Sequence, residues 1–247
     1  MKIFIHIGYA KCGSTSLQEA LRDGSGVLFP RAGTNVPAAE HISLPLFLKG
    51  IDEYTRQYIS DEWVQDNHAR MMEEIAQSKQ PVFLSSERLA SLQGPEIEAL
   101  KGLFAEHDVE IIIIVRNKEK YLDSTWRHAV FYHDYAVDFQ AFQQKMARFE
   151  FGSIIPAFQK YFPIHLFNLD DENFERGIKE LTGAQFAFGK ANIGVPHKLA
   201  ELLQQQHALI GSALFKEIFP TKVKKKMLFM MTETAPPAVD PFNVPLF

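Results

Sequence analysis

The segment GYAKCGSTSL at residues 8–17 carries the densest group of residues that could do chemistry. It follows an apolar run, KIFIHI, at residues 2–7, and leads into a helical pattern that begins near Ser14. A strand, a turn with glycines and a helix that opens on hydroxyl residues form a cradle for a phosphate-like group, because backbone N–H groups and the positive end of the helix converge there. The order of these residues therefore predicts an anion site.

The place of the lysine in this loop departs from the nucleoside triphosphate motif. Gly8 and Gly13 have the spacing of G-x-x-x-x-G-K-[ST], but Ser14 stands where that motif has lysine, and Lys11 lies inside the loop. The loop thus lacks the order that holds a triphosphate with Mg²⁺. The third predicted strand also ends in Arg116 and not in an acidic residue that could hold a metal. These features favour a metal-free donor with an anionic leaving group.

A second candidate anion anchor follows the strand VEIIIIV at residues 109–115. Arg116 ends that strand, and Ser124 follows eight residues later within a predicted helix at 118–133. An arginine at a strand end can make paired, charge-assisted hydrogen bonds to a phosphate. A hydroxyl two turns into the next helix can reach the same group.

Both segments resemble nucleotide-binding motifs of the sulfotransferases that use 3′-phosphoadenosine 5′-phosphosulfate (PAPS). The first is similar to the 5′-phosphosulfate loop, commonly written K-x-G-T-T or K-x-G-S-T-S, and the matching positions are Lys11, Gly13, Ser14, Thr15 and Ser16. The second is similar to the 3′-phosphate motif at Arg116 and Ser124, although Lys118 replaces the usual proline. The resemblance implies PAPS as co-substrate, 3′-phosphoadenosine 5′-phosphate (PAP) as product, no metal, and Lys11 as the group that stabilises the leaving phosphate.

The candidate general base is Glu87, which directly follows the predicted strand at 81–85. A carboxylate at a strand end is well placed to remove an acceptor proton, and the resemblance implies a glutamate base as in many bacterial and heparan-type members. Glu87 could instead pair with Arg88 or cap the next helix. The second candidate is His41, because family members often carry a histidine near the acceptor, although a lone loop histidine is more often just exposed.

The strand and helix patterns alternate, which predicts an α/β fold with a central parallel sheet flanked by helices. We expect a single domain over 1–247 with the P-loop NTPase-like sulfotransferase fold, an irregular substrate-facing insertion at 23–60 and a proline-rich C-terminal tail at 235–247. The predicted strands are 2–7, 81–85, 109–115 and 163–168. The predicted helices, besides the one that begins near residue 14, are 61–78, 96–105, 118–133, 138–149, 153–162 and 171–182.

Composition excludes several classes of protein. The net charge of −4 provides no general attraction to nucleic acid, and the one cysteine cannot form an internal disulfide. The first apolar run is short and ends at Lys11 without a cleavage-like stretch, and no run approaches the about 20 apolar residues of a membrane span. We therefore expect a cytoplasmic protein without a transmembrane segment. The basic run at 222–226 could contact an anionic acceptor or a membrane face, or could be a solvated turn.

The predicted reaction is transfer of a sulfuryl group from PAPS to a hydroxyl or amine of a carbohydrate, a glycan or a small molecule. Two alternatives stay open. A small-molecule kinase would bind ATP with Mg²⁺, and a non-catalytic nucleotide-binding protein would bind PAPS without turnover.

Overall fold

The computed structural model describes residues 1–35, 39–189 and 195–232, so the predicted tail at 235–247 lies outside the described residues. The strands are β1 (Lys2–Gly8), β2 (Val82–Ser85), β3 (Asp108–Val115) and β4 (Ile164–Asn168). The helices are α1 (Ser14–Arg22), α2 (Ser43–Lys49), α3 (Asp61–Gln77), α4 (Gly94–Leu103), α5 (Lys118–His133), α6 (Phe139–Lys145), α7 (Ile155–Gln159), α8 (Phe174–Thr182), α9 (His197–Ile210), α10 (Ser212–Ile218) and α11 (Thr221–Thr232). Short 3-10 helices span Thr55–Gln57, Glu87–Ser91 and Phe151–Ile154.

The chain divides into two compact units. The first comprises Met1–Arg116 and Phe151–Ala191, and the second comprises Asn117–Glu150 and Asn192–Phe247. All four strands belong to the first unit, whereas α5, α6 and α9–α11 belong to the second. The expectation of a single domain over 1–247 stays a prediction.

The sheet of the first unit is parallel throughout, with the strand order β2-β1-β3-β4. The central strand β1 places His6 opposite Ser85 on β2 and opposite Ile112 on β3. In a parallel sheet all carboxyl ends meet at one edge, where ligands bind in folds of this class. The predicted α/β class with a parallel sheet flanked by helices is confirmed.

Strands β1 and β2 and most of β3 are buried on both faces, as their continuous apolar sequences predict, whereas β4 is partly exposed. One face forms the main core with α3, α4 and α7, and this core includes Ile5, Ile111, Met71, Ile97 and Phe158. Side chains of a strand alternate between faces, so His6 points to the opposite face, toward α1. The opposite face carries the buried apolar Phe4, Phe83 and Ile112 together with the polar His6 and Ser85.

The segment at 23–60 is more regular than expected. It contains α2, and residue Leu28 adds a backbone pairing at the edge of β2, where its N–H donates to Pro81 O at 2.8 Å and its C=O accepts from Phe83 N at 2.8 Å. The sequence of α2, SLPLFLK, contains a proline and few polar residues, so it carries little helical periodicity. The segment therefore protects the β2 edge of the sheet.

The second unit is helical. Its first helix, α5, has the predicted bounds of 118–133, and the Asn117 side chain caps it by accepting hydrogen bonds from the N–H groups of Glu119 and Lys120. Within the basic run, Lys224 is 2% exposed and donates to Asp134 at 2.5 Å. This lysine is therefore part of the interior of its unit. Among the described residues, no helix is long and apolar enough to cross a membrane.

Candidate functional site

The loop between β1 and α1 has the backbone shape of an anion cradle. Lys11 and Gly13 both adopt left-handed conformations, with φ of 67° and 84°. Helix α1 starts directly after Gly13, whose C=O accepts a hydrogen bond from Leu17 N at 3.0 Å. The left-handed φ disfavours a side chain at position 13, and a Cβ there would also press on the terminal methyl Cδ1 of Leu169 at 2.9 Å.

The first helical residue presents an unused hydroxyl at this cradle. Ser14 is 2% exposed, and its Oγ has no hydrogen-bond partner among the described residues. A buried polar group without a partner is costly, and a phosphate oxygen at the start of α1 would satisfy it. Thr15 and Ser16 follow on the same first turn and are half-buried. The residues present therefore fit an oxyanion bound at the helix terminus.

Arg116 brings the end of β3 to the loop after β1. Its Nη1 donates to Lys11 O at 3.1 Å, and its Nη2 lies 3.8 Å from Asp170 Oδ1. Its Nε is buried without a hydrogen-bond partner among the described residues. Two of the three guanidinium nitrogens are thus occupied, one of them loosely, which leaves donors for an anion. Ser124 lies on α5, in the second unit, and its predicted contact with the same phosphate stays a prediction.

Glu87 begins the 3-10 helix that follows β2, and it is half-buried. Burial, and next the nearby charge of Glu87, raise the pKa of the Cys12 thiol to about 12. The Arg116 charge opposes this rise and that of Asp170 adds to it. Cys12 therefore lies within the electrostatic reach of groups that follow β2, β3 and β4. Because its pKa is raised, the thiol is protonated at neutral pH and unsuited to nucleophilic work.

His41 does not fit the role of a catalytic base. It is 0% exposed, its Nδ1 accepts a hydrogen bond from Ser85 N at 3.0 Å, and its Nε2 lies 3.0 Å from Pro30 O. Burial lowers the pKa of His41 to about 4. Both ring nitrogens are engaged by the backbone, so this histidine holds the end of β2, and Glu87 is retained as the candidate base.

Asp170 is a site residue that the sequence reasoning missed. It follows β4, the weakest of the predicted strands, two residues after Asn168. The rule that ligand sites gather at the carboxyl ends of parallel strands would have pointed to it. No cluster of His, Cys, Asp and Glu side chains that could hold a metal ion occurs among the described residues.

Comparisons with known proteins bear on the fold. No family model matches the chain, and no curated protein matches it. A solved structure of a sulfotransferase from Alicyclobacillus acidocaldarius is similar to 97% of this chain over 97% of its own, with a TM-score of 0.50 and 14% identity. A structure from the PezAT toxin–antitoxin system of Streptococcus pneumoniae covers 94% of this chain with a TM-score of 0.30 and 16% identity. The chain therefore has a sulfotransferase-like α/β fold.

Proposed function

We propose that this protein is a PAPS-dependent sulfotransferase that acts on a hydroxyl or amine of a carbohydrate or small-molecule acceptor. The observation that carries the proposal is the hydrogen bond from Arg116 Nη1 to Lys11 O at 3.1 Å. It joins Arg116, from the motif that resembles the 3′-phosphate site, to Lys11, from the motif that resembles the 5′-phosphosulfate loop, although 105 residues separate them along the chain. The sulfotransferase-like fold supports the same conclusion.

The donor end of the proposed reaction is the loop and the start of α1. The N–H groups after Gly13 and the Ser14 hydroxyl would hold the 5′-phosphate, and Lys11 would stabilise the charge that grows on it as the S–O bond breaks. Arg116 would hold the 3′-phosphate, and Ser124 is proposed as a second ligand of that group from the sequence resemblance alone. Stabilisation of the leaving group by fixed charges is the largest contribution that a site of this kind can make, because sulfuryl transfer generates an anion.

The acceptor end is Glu87. Its carboxylate would take the proton from the acceptor oxygen or nitrogen as that atom bonds to sulfur, and PAP would leave with both phosphates ionised. The electrostatic effect of Glu87 on Cys12 supports its proximity to the loop. Alignment of acceptor, sulfur and leaving oxygen then depends on how rigidly the ends of β1 and β2 are held.

The proposal is tested by transfer of labelled sulfate from PAPS to a panel of sugars, alcohols and amines without added Mg²⁺. We expect labelled product for at least one acceptor class, and at least about 100-fold less product with Lys11→Ala, the size of loss typical when a group that stabilises developing charge is removed. Lys79→Ala, at an exposed position after α3, is the matched control and keeps full activity. Mg²⁺-dependent ATP consumption without sulfate transfer would instead identify a kinase.

A further inference from the structure

The Ser85 hydroxyl joins three elements that meet beneath the candidate site. It lies 2.8 Å from His6 Nδ1 on β1 and accepts a hydrogen bond from Gln18 Nε2 on α1 at 3.0 Å. The three residues are between 0% and 2% exposed. Strand β1 leads into the proposed phosphate loop, α1 begins at the end of that loop, and β2 leads to Glu87. The Ser85 hydroxyl therefore connects the three elements that carry Lys11, Ser14 and Glu87.

The backbone at the end of β2 is also held by hydrogen bonds. Ser85 N–H donates to His41 Nδ1 at 3.0 Å, and Ser85 C=O accepts from His41 N–H at 2.8 Å. The next amide, Ser86 N–H, donates to His6 O at 3.0 Å. These hydrogen bonds restrict the groups that make them, although His6 Nε2 is buried without a hydrogen-bond partner among the described residues. Glu87 directly follows these two hydrogen-bonded residues, Ser85 and Ser86.

The network operates with a neutral histidine. Burial lowers the pKa of His6 to about 4, and the side chains that face it from β2 and α1, Ser85 and Gln18, are uncharged. Because Gln18 donates to the hydroxyl, the Ser85 proton is available for His6 Nδ1. His6 Nε2 lies 3.0 Å from the position that a Cβ on Gly8 would take, so the ring also fills the space beneath the first residue of the loop.

We propose that His6, Ser85 and Gln18 form a positioning unit that fixes the phosphate end of α1 relative to Glu87. This inference rests on the proposed function. The three side chains lie in the interior, so they act through the loop, the helix and the strand end. Their effect falls on the transfer step, because a misplacement of about 1 Å between reacting groups can cost on the order of 100-fold in rate.

Kinetics on four variants test the unit. We expect Ser85→Ala and Gln18→Met to lower kcat about 10-fold or more, while the dissociation constant of PAP stays within about 3-fold of the wild type, which is under 1 kcal/mol. His6→Asn can place a polar atom near the position of Nδ1, so we expect it to retain most of kcat. His6→Leu has no such atom, and we expect it to lose kcat. The control is Ser43→Ala, since Ser43 Oγ is equally buried but has no hydrogen-bond partner among the described residues.

Two kinetic results would overturn the inference. One is an unchanged kcat in folded Ser85→Ala and Gln18→Met proteins. The other is a loss of PAP affinity that parallels the loss of kcat in every variant, because that pattern indicates general damage to the nucleotide site. If Ser85→Ala does not fold, Gln18→Met decides, since it leaves the hydrogen bond between Ser85 and His6 in place.

A readout that needs no turnover separates this inference from the proposed function. Hydrogen–deuterium exchange of the nucleotide-free protein should rise in Ser85→Ala at residues 9–16 and 86–91, and stay unchanged in α3. Absence of PAP binding in the wild type would refute the proposed function and leave this test intact. A uniform rise across the first unit, or no rise at residues 9–16, would refute the positioning unit.

Discussion

The two sides of the sheet edge at the candidate site are built from different chemistry. On the β1–β2 side, His6, Ser85 and His41 are 0% exposed, neutral and hydrogen-bonded to one another or to the backbone. On the β3–β4 side, Arg116 and Asp170 form a loose ion pair at 3.8 Å, with side chains 20% and 17% exposed. One side is a buried network of neutral hydrogen-bonded groups, and the other is a partly exposed charged pair.

This difference indicates a division of work. Buried polar groups joined by several hydrogen bonds resist movement, which suits the side that must align Glu87 with the loop. A partly exposed ion pair contributes little stability, about 0–1 kcal/mol, so its arginine can exchange a carboxylate for a phosphate at small cost. We therefore assign alignment to the β1–β2 side and anion exchange to the β3–β4 side.

The largest effect is expected from Gly13→Ala, at the loop that both sides share. The left-handed φ of 84° costs about 1–2 kcal/mol for an L-residue, and the new Cβ would lie 2.9 Å from Leu169 Cδ1. We expect loss of measurable PAP binding in calorimetry. Gly183→Ala is the matched control, because Gly183 has a φ of 75° but nothing within 4 Å of the Cβ position. Equal PAP affinity in the two variants would remove the steric reason for a glycine at 13.

The next largest effect is expected from a substitution on the β3–β4 side. Arg116→Ala should abolish the preference for PAP over AMP, because the guanidinium is the proposed partner of the 3′-phosphate and a charge-assisted bond contributes about 1.5–3 kcal/mol. Thermal-shift titrations with both nucleotides measure the preference. Arg56→Ala, on the exposed ion pair with Asp61, serves as control. A preference that survives Arg116→Ala would reassign the 3′-phosphate site.

The neutral side should make the protein sensitive to acid. Burial lowers the pKa of both His6 and His41 to about 4, whereas histidines of the unfolded chain have a pKa near 6.5. Below about pH 6.5 the unfolded chain therefore binds more protons than the folded protein. The free energy of unfolding should therefore fall as the pH drops from about 6.5 to about 4, by roughly 3 kcal/mol for each histidine. Urea unfolding at several pH values measures the slope. A His6→Asn slope as steep as that of the wild type would exclude a buried neutral His6.

The smallest effect is expected from Asp170→Asn. Its carboxylate competes with an anion for Arg116, and a half-buried pair of this kind contributes about 0–1 kcal/mol. We expect PAP to bind up to about 5-fold more tightly, with kcat nearly unchanged. Calorimetry at constant ionic strength measures the change. Weaker binding in this variant would mean that Asp170 orients Arg116 and does not compete with the ligand.

The sequence located the residues at the ends of β1 and β3 better than it described the environment of His41, for physical reasons. Lys11, Gly13 and Arg116 lie next to strong local patterns, a strand of four consecutive isoleucines among them, so their place at the sheet edge follows from the strands alone. The start of α5 at Lys118 follows from a local signal, because the Asn117 side chain caps the helix.

Other features depend on contacts between distant parts of the chain. His41 was a candidate base because it lies in a segment with little periodicity, and only its bonds to Pro30 and Ser85 reveal a structural role. Asp170 and Gln18 carry no local signal, since an aspartate after a weak strand and a glutamine inside a helix are common. Their proposed roles come from contacts with residues far along the chain, Arg116 for Asp170 and Ser85 for Gln18.

The central claim is that the ends of β1 and β3 hold opposite ends of one doubly phosphorylated adenosine. Isothermal titration of the wild-type protein with PAP and with AMP, both without Mg²⁺, tests it most directly. The account predicts that PAP binds at least about 10-fold more tightly than AMP, as one charge-assisted anchor on the 3′-phosphate requires. Equal affinities, or PAP binding that appears only with Mg²⁺, would contradict it.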